Sequence, residues 1–288
     1  MKEYWILQQR ILPYAEQCSR WIQEDFLRLD ETATSDKAVI DSVYRLGILY
    51  RDQGKFSEAE VMYNRALEGR EKALGRDHTS TLDTVNNLGL VYWNQGKLSE
   101  AEAIYNRALE GTEKALGCEH ASTLDTVNNL GLVYRDQGKL SEAEAIYNRA
   151  LEGREKVLGC DYASTLDTVN NLGVLYKDQG KLSEAEAMYN RALEGREKAL
   201  GCEHILTLET VNNLGVLYRD QGKLGEAKAM FDRALEGYEK VLGRNYTSTL
   251  DTVYNLGVLY EDQGKFEEAE TMFNRVLKGF KSALGQGY

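Results

Sequence analysis

The stretch TVNNLG at residues 84–89 returns unchanged at 126–131, 168–173 and 210–215, and a variant, TVYNLG, occupies 252–257. Each copy begins 42 residues after the one before, and self-similarity at such a period is the signature of a repeat architecture. The marker pair Leu-Gly keeps the same spacing at 46–47. Residues 37–288 therefore divide into six units of equal length. They are 37–78, 79–120, 121–162, 163–204, 205–246 and 247–288.

Each unit carries the pattern of two helices joined by a glycine turn. In the second unit, four apolar residues at helical spacing predict a first helix, and Gly96 suits the left-handed backbone that ends it. These apolar residues are Leu82, Val85, Leu88 and Val91. Capping boxes starting at Ser80 and Ser99 predict the beginnings of the two helices, with each serine as N-cap. Since one helix pair cannot bury its apolar stripe alone, the units are expected to stack.

Six positions of this pattern resemble the tetratricopeptide repeat family. In the second unit they are Leu88, Gly89, Tyr92, Ala101, Tyr105 and Ala108. The family's early tryptophan is replaced by Val85, and its closing proline is absent. The longer second helix is similar to the 42-residue variant found in kinesin light chains. The resemblance implies an all-α, right-handed α-solenoid of six helix-turn-helix units, in which helix A of each unit lines a concave wall.

The two ends of the chain predict further features. Residues 1–36 contain an amphipathic segment, from which we expect capping helices that cover the first unit. The stretch LQQRILPYAEQCSRWI at 7–22 is similar to the helix before the repeat arrays of fungal NB-ARC or NACHT receptors. A ligand-sensing or self-assembly segment of a larger nucleotide-switched receptor is therefore an alternative function. The sixth unit lacks a polar capping helix, which predicts either a longer array or self-association through that unit.

Composition narrows the classes of partner. A net charge of −11 opposes nucleic-acid binding, which needs a basic face. No apolar run approaches the ~18 residues of a membrane span, and the N-terminus lacks the features of a secretory signal, so we expect a cytoplasmic protein without membrane contact. The four cysteines show no CxxC spacing and are expected to be free thiols.

The sequence contains no constellation that predicts catalysis. QGKLSE at 95–100 fails the phosphate-loop pattern because Lys97 is followed by leucine. His78, His120 and His204 share one loop position and predict packing or solvent exposure rather than metal binding. Carboxylates recur with the unit, whereas catalysis needs one asymmetric, desolvated place. We therefore predict a non-enzymatic protein with no catalytic residue, metal or cofactor.

The asparagines of TVNNLG are the main candidate site residues. The resemblance implies that the second asparagine of each pair faces the groove, where its amide can donate to and accept from the backbone of an extended peptide. These asparagines are Asn87, Asn129, Asn171, Asn213 and Asn255, with Arg45 at this place in the first unit. The first asparagine of each pair is expected to bond between helices. A structural ladder between neighbouring repeats is the alternative for both.

Aspartates at the end of helix A complete the predicted groove. They are Asp136, Asp178, Asp220 and Asp262. The helix dipole disfavours an anion there by ~0.3–1 kcal/mol, so a groove role explains them better than local structure does. The preceding Arg135, Lys177 and Arg219 partly compensate. The prediction is a protein-protein interaction scaffold whose acidic groove, with aliphatic patches, binds a neutral or basic extended peptide or partner segment.

Overall fold

The computed structural model describes residues 37–285, with side chains through residue 282. The predicted capping helices in residues 1–36 lie outside the described residues. Within 37–285 there are twelve helices and no strand, which confirms the all-α class. The helices are α1 (Lys37–Asp52), α2 (Phe56–Leu74), α3 (Thr79–Asn94), α4 (Leu98–Leu116), α5 (Ala121–Asp136), α6 (Leu140–Val157), α7 (Ala163–Asp178), α8 (Leu182–Leu200), α9 (Ile205–Asp220), α10 (Leu224–Val241), α11 (Thr247–Asp262) and α12 (Phe266–Gly285). No helix among them is long and apolar enough to cross a membrane.

Odd-numbered helices are helix A and even-numbered helices are helix B of repeats 1 to 6. The chain forms two compact units, of which unit 1 ends at Gly153 and unit 2 begins at Arg154, inside α6. Within each unit, helix A packs on helix B of its own repeat, and helix B packs on helix A of the next repeat. This consecutive pairwise packing is the one on which a tetratricopeptide-type solenoid is built.

A glycine beneath an aromatic ring forms the centre of each repeat. In repeat 4, Gly173 of α7 lies against Tyr189 of α8, and a Cβ added to the glycine would be 2.7 Å from two ring carbons. Six residues further along α8, Gly195 lies against Leu166 of α7 in the same way. The six glycine–ring pairs are Gly47–Tyr63, Gly89–Tyr105, Gly131–Tyr147, Gly173–Tyr189, Gly215–Phe231 and Gly257–Phe273. The Leu-Gly marker therefore recurs because the helices approach too closely there for any other residue.

The predicted capping boxes are wrong at both helix starts. Helix α3 begins at Thr79, and its N-cap is His78, whose Nδ1 accepts a hydrogen bond from the Ser80 backbone N–H. The hydroxyl of buried Thr81 donates to the Gly75 carbonyl (2.8 Å). With Thr81 fixed in this way, Ser80 lies inside the first turn of α3 and not at the N-cap position before it. Helix α4 begins one residue before Ser99, without a side-chain cap. His120 and His204 cap α5 and α9 as His78 caps α3.

A recurring group of polar side chains fixes the register between repeats. Glu102 of α4 accepts hydrogen bonds from Gln137 (2.8 Å) and Lys139 (2.9 Å) at the end of the next helix A. A second contact joins Glu113 of α4 to Arg149 of α6. Equivalent trios are Glu60–Gln95–Lys97 and Glu186–Gln221–Lys223.

The junction of repeats 5 and 6 departs from this pattern. Lys228 stands where the other junctions have the glutamate, and it pairs with Asp232 on its own helix. Lys228→Glu combined with Asp232→Asn, the residue that the other repeats have there, is expected to raise the free energy of unfolding by about 0.5–1 kcal/mol, since it forms the ion pair with the lysine of the next repeat, Lys265, without setting two acids side by side on α10. Chemical denaturation measures this change. The matched control, Glu186→Lys, should lower stability by a similar amount, and an unchanged midpoint for the Lys228 variant would contradict the assignment.

Candidate functional site

The face formed by helices A carries the predicted site residues. Within unit 1, α1 contacts α3 and α3 contacts α5, and within unit 2, α7 contacts α9 and α9 contacts α11. Along each helix, the accessible stripe combines an acid, a half-buried polar residue, a half-buried aliphatic residue and an exposed last-turn residue. In repeat 5 this stripe is Glu209, Asn213, Val216 and Asp220. Arg45 is exposed on α1 at the asparagine position, and Asn129 and Asn171 are half-buried there on α5 and α7.

The first asparagines bond between helices, as predicted. Asn86 accepts a hydrogen bond from Thr126 of the next helix A (2.9 Å). Asn170 accepts from Thr210 (3.3 Å), again in the next repeat. These amides therefore join neighbouring repeats.

In unit 1, the side-chain amide of Asn87 also forms such links. Its Nδ2 donates to the Tyr44 hydroxyl (3.0 Å) and to the Asp83 carbonyl (2.9 Å), and its Oδ1 accepts from the Arg51 guanidinium. Both amide hydrogens are therefore used. At this position the second asparagine belongs to a ladder between repeats 1 and 2.

In repeats 5 and 6 the second asparagines make fewer hydrogen bonds within the chain. Asn213 Nδ2 donates to Asn170 Oδ1 (3.4 Å), and Asn255 Nδ2 donates to Asn212 Oδ1 (3.3 Å). Among the described residues these are the hydrogen bonds of the two side chains, so each keeps one N–H and its Oδ1 for another partner. Both are half-buried on the helix A face. The site that suits a peptide backbone is therefore centred on repeats 5 and 6.

The last-turn aspartates of repeats 3 to 5 each have a cation beside them. The pairs are Arg135–Asp136 (2.6 Å), Lys177–Asp178 (2.9 Å) and Arg219–Asp220 (3.0 Å). Asp136 also accepts from Trp93 Nε1 (2.6 Å) of the preceding repeat. Because each carboxylate is compensated by the cation beside it, the last turn of helix A is close to neutral in each of these repeats.

Repeat 6 is the acidic end of the face. Glu261 replaces the cation beside Asp262, which has only the distant Arg219 Nε at 3.9 Å among the described residues. On the same stripe, burial raises the pKa of the Asp251 carboxyl above its ordinary value. Helix B of repeat 4 has an arginine, Arg196, beside the first-turn acid of helix A. The same helix B position holds Tyr238 in repeat 5 and Phe280 in repeat 6, so Asp251 lacks this cation.

Buried arginines behind the face were not predicted from the sequence. Arg196 of α8 is 2% exposed, and its Nη1 donates to the Leu206 carbonyl and the Thr210 hydroxyl of the next repeat, both at 2.7 Å. Its Nη2 donates to Asp167 (2.6 Å). Burial raises the pKa of the nearby Glu209 carboxyl, and Arg196 opposes that rise. The available signal was an arginine on the apolar side of helix B, in the recurring REK.

Equivalent arginines are Arg70 and Arg154, both buried. Arg70 binds Asp41 (2.9 Å) and Thr84 (2.8 Å) and lies over the Tyr44 ring. In repeat 2 the same place is held by Thr112. Arg70 and Arg196 hold first-turn acids of the face, and all three arginines bond to the repeat that follows.

Metal-binding chemistry finds no support in the part of the chain that the structure describes. No group of three or more histidine, cysteine, aspartate or glutamate side chains is placed to hold an ion there. Cys118, Cys160 and Cys202 are exposed and unbridged in the loops. The absence of catalytic activity stays a prediction.

A family model for the tetratricopeptide repeat matches the sequence five times in overlapping spans, covering 39–114, 81–156, 121–198, 163–240 and 206–282. The chain therefore belongs to the tetratricopeptide repeat family. A search of curated proteins gave no significant match.

Solved structures share the fold. BtubC (BKLC) from P. vanneervenii is 25% identical, with a TM-score of 0.63, over 82% of this chain and 92% of its own. A putative kinesin light chain of P. anserina with nearly identical TPR-like repeats is 23% identical, with a TM-score of 0.57, over 70% of this chain and 96% of its own. A Rap protein complexed with Competence and Sporulation Factor is 16% identical, with a TM-score of 0.62, over 86% of this chain and 76% of its own. The similarity to fungal NB-ARC and NACHT receptors stays a prediction.

Proposed function

We propose that this protein is an interaction scaffold that binds an extended segment of a partner protein on the helix A face of repeats 5 and 6. The observation that carries the proposal is the difference between the asparagines. Asn213 and Asn255 keep an unused N–H and Oδ1 at equivalent places on consecutive helices A, whereas both amide hydrogens of Asn87 are used internally.

The contacts on this face define the chemistry of the ligand. Two amides on successive helices suit the N–H and C=O groups of an extended backbone, because an amide both donates and accepts. Val216 and Val258 lie one helical turn beyond Asn213 and Asn255 and offer half-buried aliphatic contact to a side chain. The acidic end of repeat 6 favours a lysine or arginine there. The proposed ligand is an extended peptide segment with an aliphatic residue and a basic residue.

The fold supports a role in ligand binding. The Rap protein, which shares it, has been solved in complex with Competence and Sporulation Factor. The resemblance of the 42-residue repeat to that of kinesin light chains implies the same use of helix A asparagines.

Selection from a displayed peptide library on the full chain tests the proposal. We expect enriched sequences with lysine or arginine, and we expect the double variant Asn213→Ala, Asn255→Ala to raise the dissociation constant of the best peptide about tenfold or more. Asp262→Asn should weaken basic peptides selectively. Thermal melting of each variant establishes that the fold is retained.

Asn87→Ala is the matched control. Because its amide links repeats 1 and 2, it should lower the melting temperature and leave peptide affinity unchanged. Absence of any enriched peptide would contradict the proposal. So would an acidic peptide whose binding survives the double substitution, since neither the asparagines nor the acidic end would then define the ligand.

A further inference from the structure

The outer side of repeat 6 exposes an apolar stripe on α12. Phe266, Leu277 and Phe280 are 70%, 57% and 40% exposed. Tyr254 of α11 is exposed on the same side, with its ring 5.6 Å from that of Phe273. The corresponding side of each preceding repeat within a unit is covered by the next helix A. Leu193 and Leu235, which correspond to Leu277, pack against apolar residues of repeats 5 and 6.

This side of repeat 6 differs chemically from the sides that bind another repeat. In repeat 4, Asn170 accepts a hydrogen bond from Thr210 of repeat 5, and Arg196 donates one to the same hydroxyl. Glu197 forms an ion pair with Arg233 of repeat 5. The corresponding residues of repeat 6 are Tyr254, Phe280 and Lys281. An aromatic ring replaces the buried arginine, and a lysine would oppose the arginine of any further repeat of the same pattern. At these three positions the surface therefore no longer carries the groups that bind a repeat, although Glu270 keeps the glutamate of the polar trio, and two of the three are aromatic residues, which are enriched at the centres of protein interfaces.

Charge is also segregated along α12 as on no other described helix B. Its first half carries Glu267, Glu268 and Glu270, and its second half carries Arg275, Lys278 and Lys281. In α8 the positions of Lys278 and Lys281 hold glutamates, Glu194 and Glu197. Glu270, Leu277 and Lys281 are spaced by seven and four residues, so they share one face of the helix.

We infer that α12 binds α12 of a second copy of this chain in an antiparallel, two-fold arrangement. In that arrangement Glu270, from the acidic half of each helix, lies against Lys281, from the basic half of its partner, and Leu277 and Phe280 pack near the axis. Because a two-fold interface uses the same patch twice, the Glu270–Lys281 pairing occurs twice. This inference is independent of the proposed ligand face, which lies on helices A.

Sedimentation velocity of the full chain across a wide concentration range tests it. The wild-type chain is expected to form a dimer, and Leu277→Asp should raise the dimer dissociation constant roughly thirtyfold or more, as loss of a central contact does. Glu270→Lys and Lys281→Glu should each raise it roughly tenfold, because each places two like-charged pairs in the interface. The double exchange should return it to within about threefold of wild type.

Glu268→Lys is the matched control, since Glu268 lies on the opposite side of α12 and carries the same change of charge. It should leave dimerisation unchanged. All of these side chains are exposed in the single chain, so melting curves at low concentration should coincide. A chain that stays monomeric at every concentration would overturn the inference. A dimer that the double exchange does not restore would also overturn it, because a head-to-tail contact or another surface would then be responsible.

Discussion

Replacing Tyr189 by alanine is expected to lower the free energy of unfolding by about 3–5 kcal/mol, the range for loss of a buried aromatic side chain. Tyr189 is fully buried, and its ring lies directly on Gly173, so the ring itself fills the space between the two helices at this point. Removing the ring leaves a cavity between α7 and α8 that two rigid helices cannot close. Urea denaturation followed by circular dichroism measures the loss.

The chain supplies the control for this experiment. Phe231 and Phe273 occupy the same place in repeats 5 and 6, so Tyr189→Phe should keep the ring contact and cost at most about 1.5 kcal/mol. If alanine and phenylalanine at position 189 were equally destabilising, the ring would not be the source of the stability.

Arg196→Met is expected to lower the free energy of unfolding by about 2–3 kcal/mol at neutral pH. Removing one partner of a buried ion pair usually costs ~3–5 kcal/mol, and we expect less because Asp167 and Glu209 keep 40% and 48% of their side chains exposed. Methionine retains the packing of the aliphatic stem but leaves two carboxylates without their cation. Arg191→Met, on the same helix in a half-exposed pair with Glu155, should cost no more than about 1 kcal/mol.

The effect of Arg196→Met should depend on pH. Burial holds the folded pKa of Glu209 above its ordinary value, so its contribution to stability falls as pH rises from the unfolded pKa through the folded one. Arg196 limits that rise in pKa, and its removal widens the pH range over which stability is lost. The difference between variant and wild type should therefore be largest at neutral pH and shrink in mild acid. A difference that is constant with pH would mean that Arg196 stabilises through its hydrogen bonds to Leu206 and Thr210 and not through the two carboxylates.

The fold could be predicted from the sequence because its determinants are local and repeated. The Leu-Gly pair, the aromatic residue sixteen positions later and the glycine turn recur at one spacing, and each requires the same helix–helix contact. The first capping box failed because Thr81 bonds to Gly75, the residue that follows the preceding helix, and a local motif does not contain this contact. Helix starts in such arrays are set partly by the repeat before them.

The candidate site was predictable as a face but not in its detail. Asn87 and Asn213 have the same neighbours in sequence, yet Tyr44 and Arg51 engage the first and Asn170 the second. These partners lie about one repeat away along the chain. Which asparagine amide remains available for a ligand therefore depends on the side chains of the preceding repeat. The near-neutral aspartate row likewise depended on where the adjacent cations point, which the sequence left open.

The polar trio between repeats has a consequence for how this chain can change in length. Glu102 meets Gln137 and Lys139, and Glu186 meets Gln221 and Lys223, with the same atoms in the same roles. If recombination within the gene removed or added one whole internal repeat, the residues at the new junction would form the same hydrogen bonds. The number of internal repeats can thus change in steps of one without loss of these contacts, whereas the junction of repeats 5 and 6, where Lys228 replaces the glutamate, does not offer them.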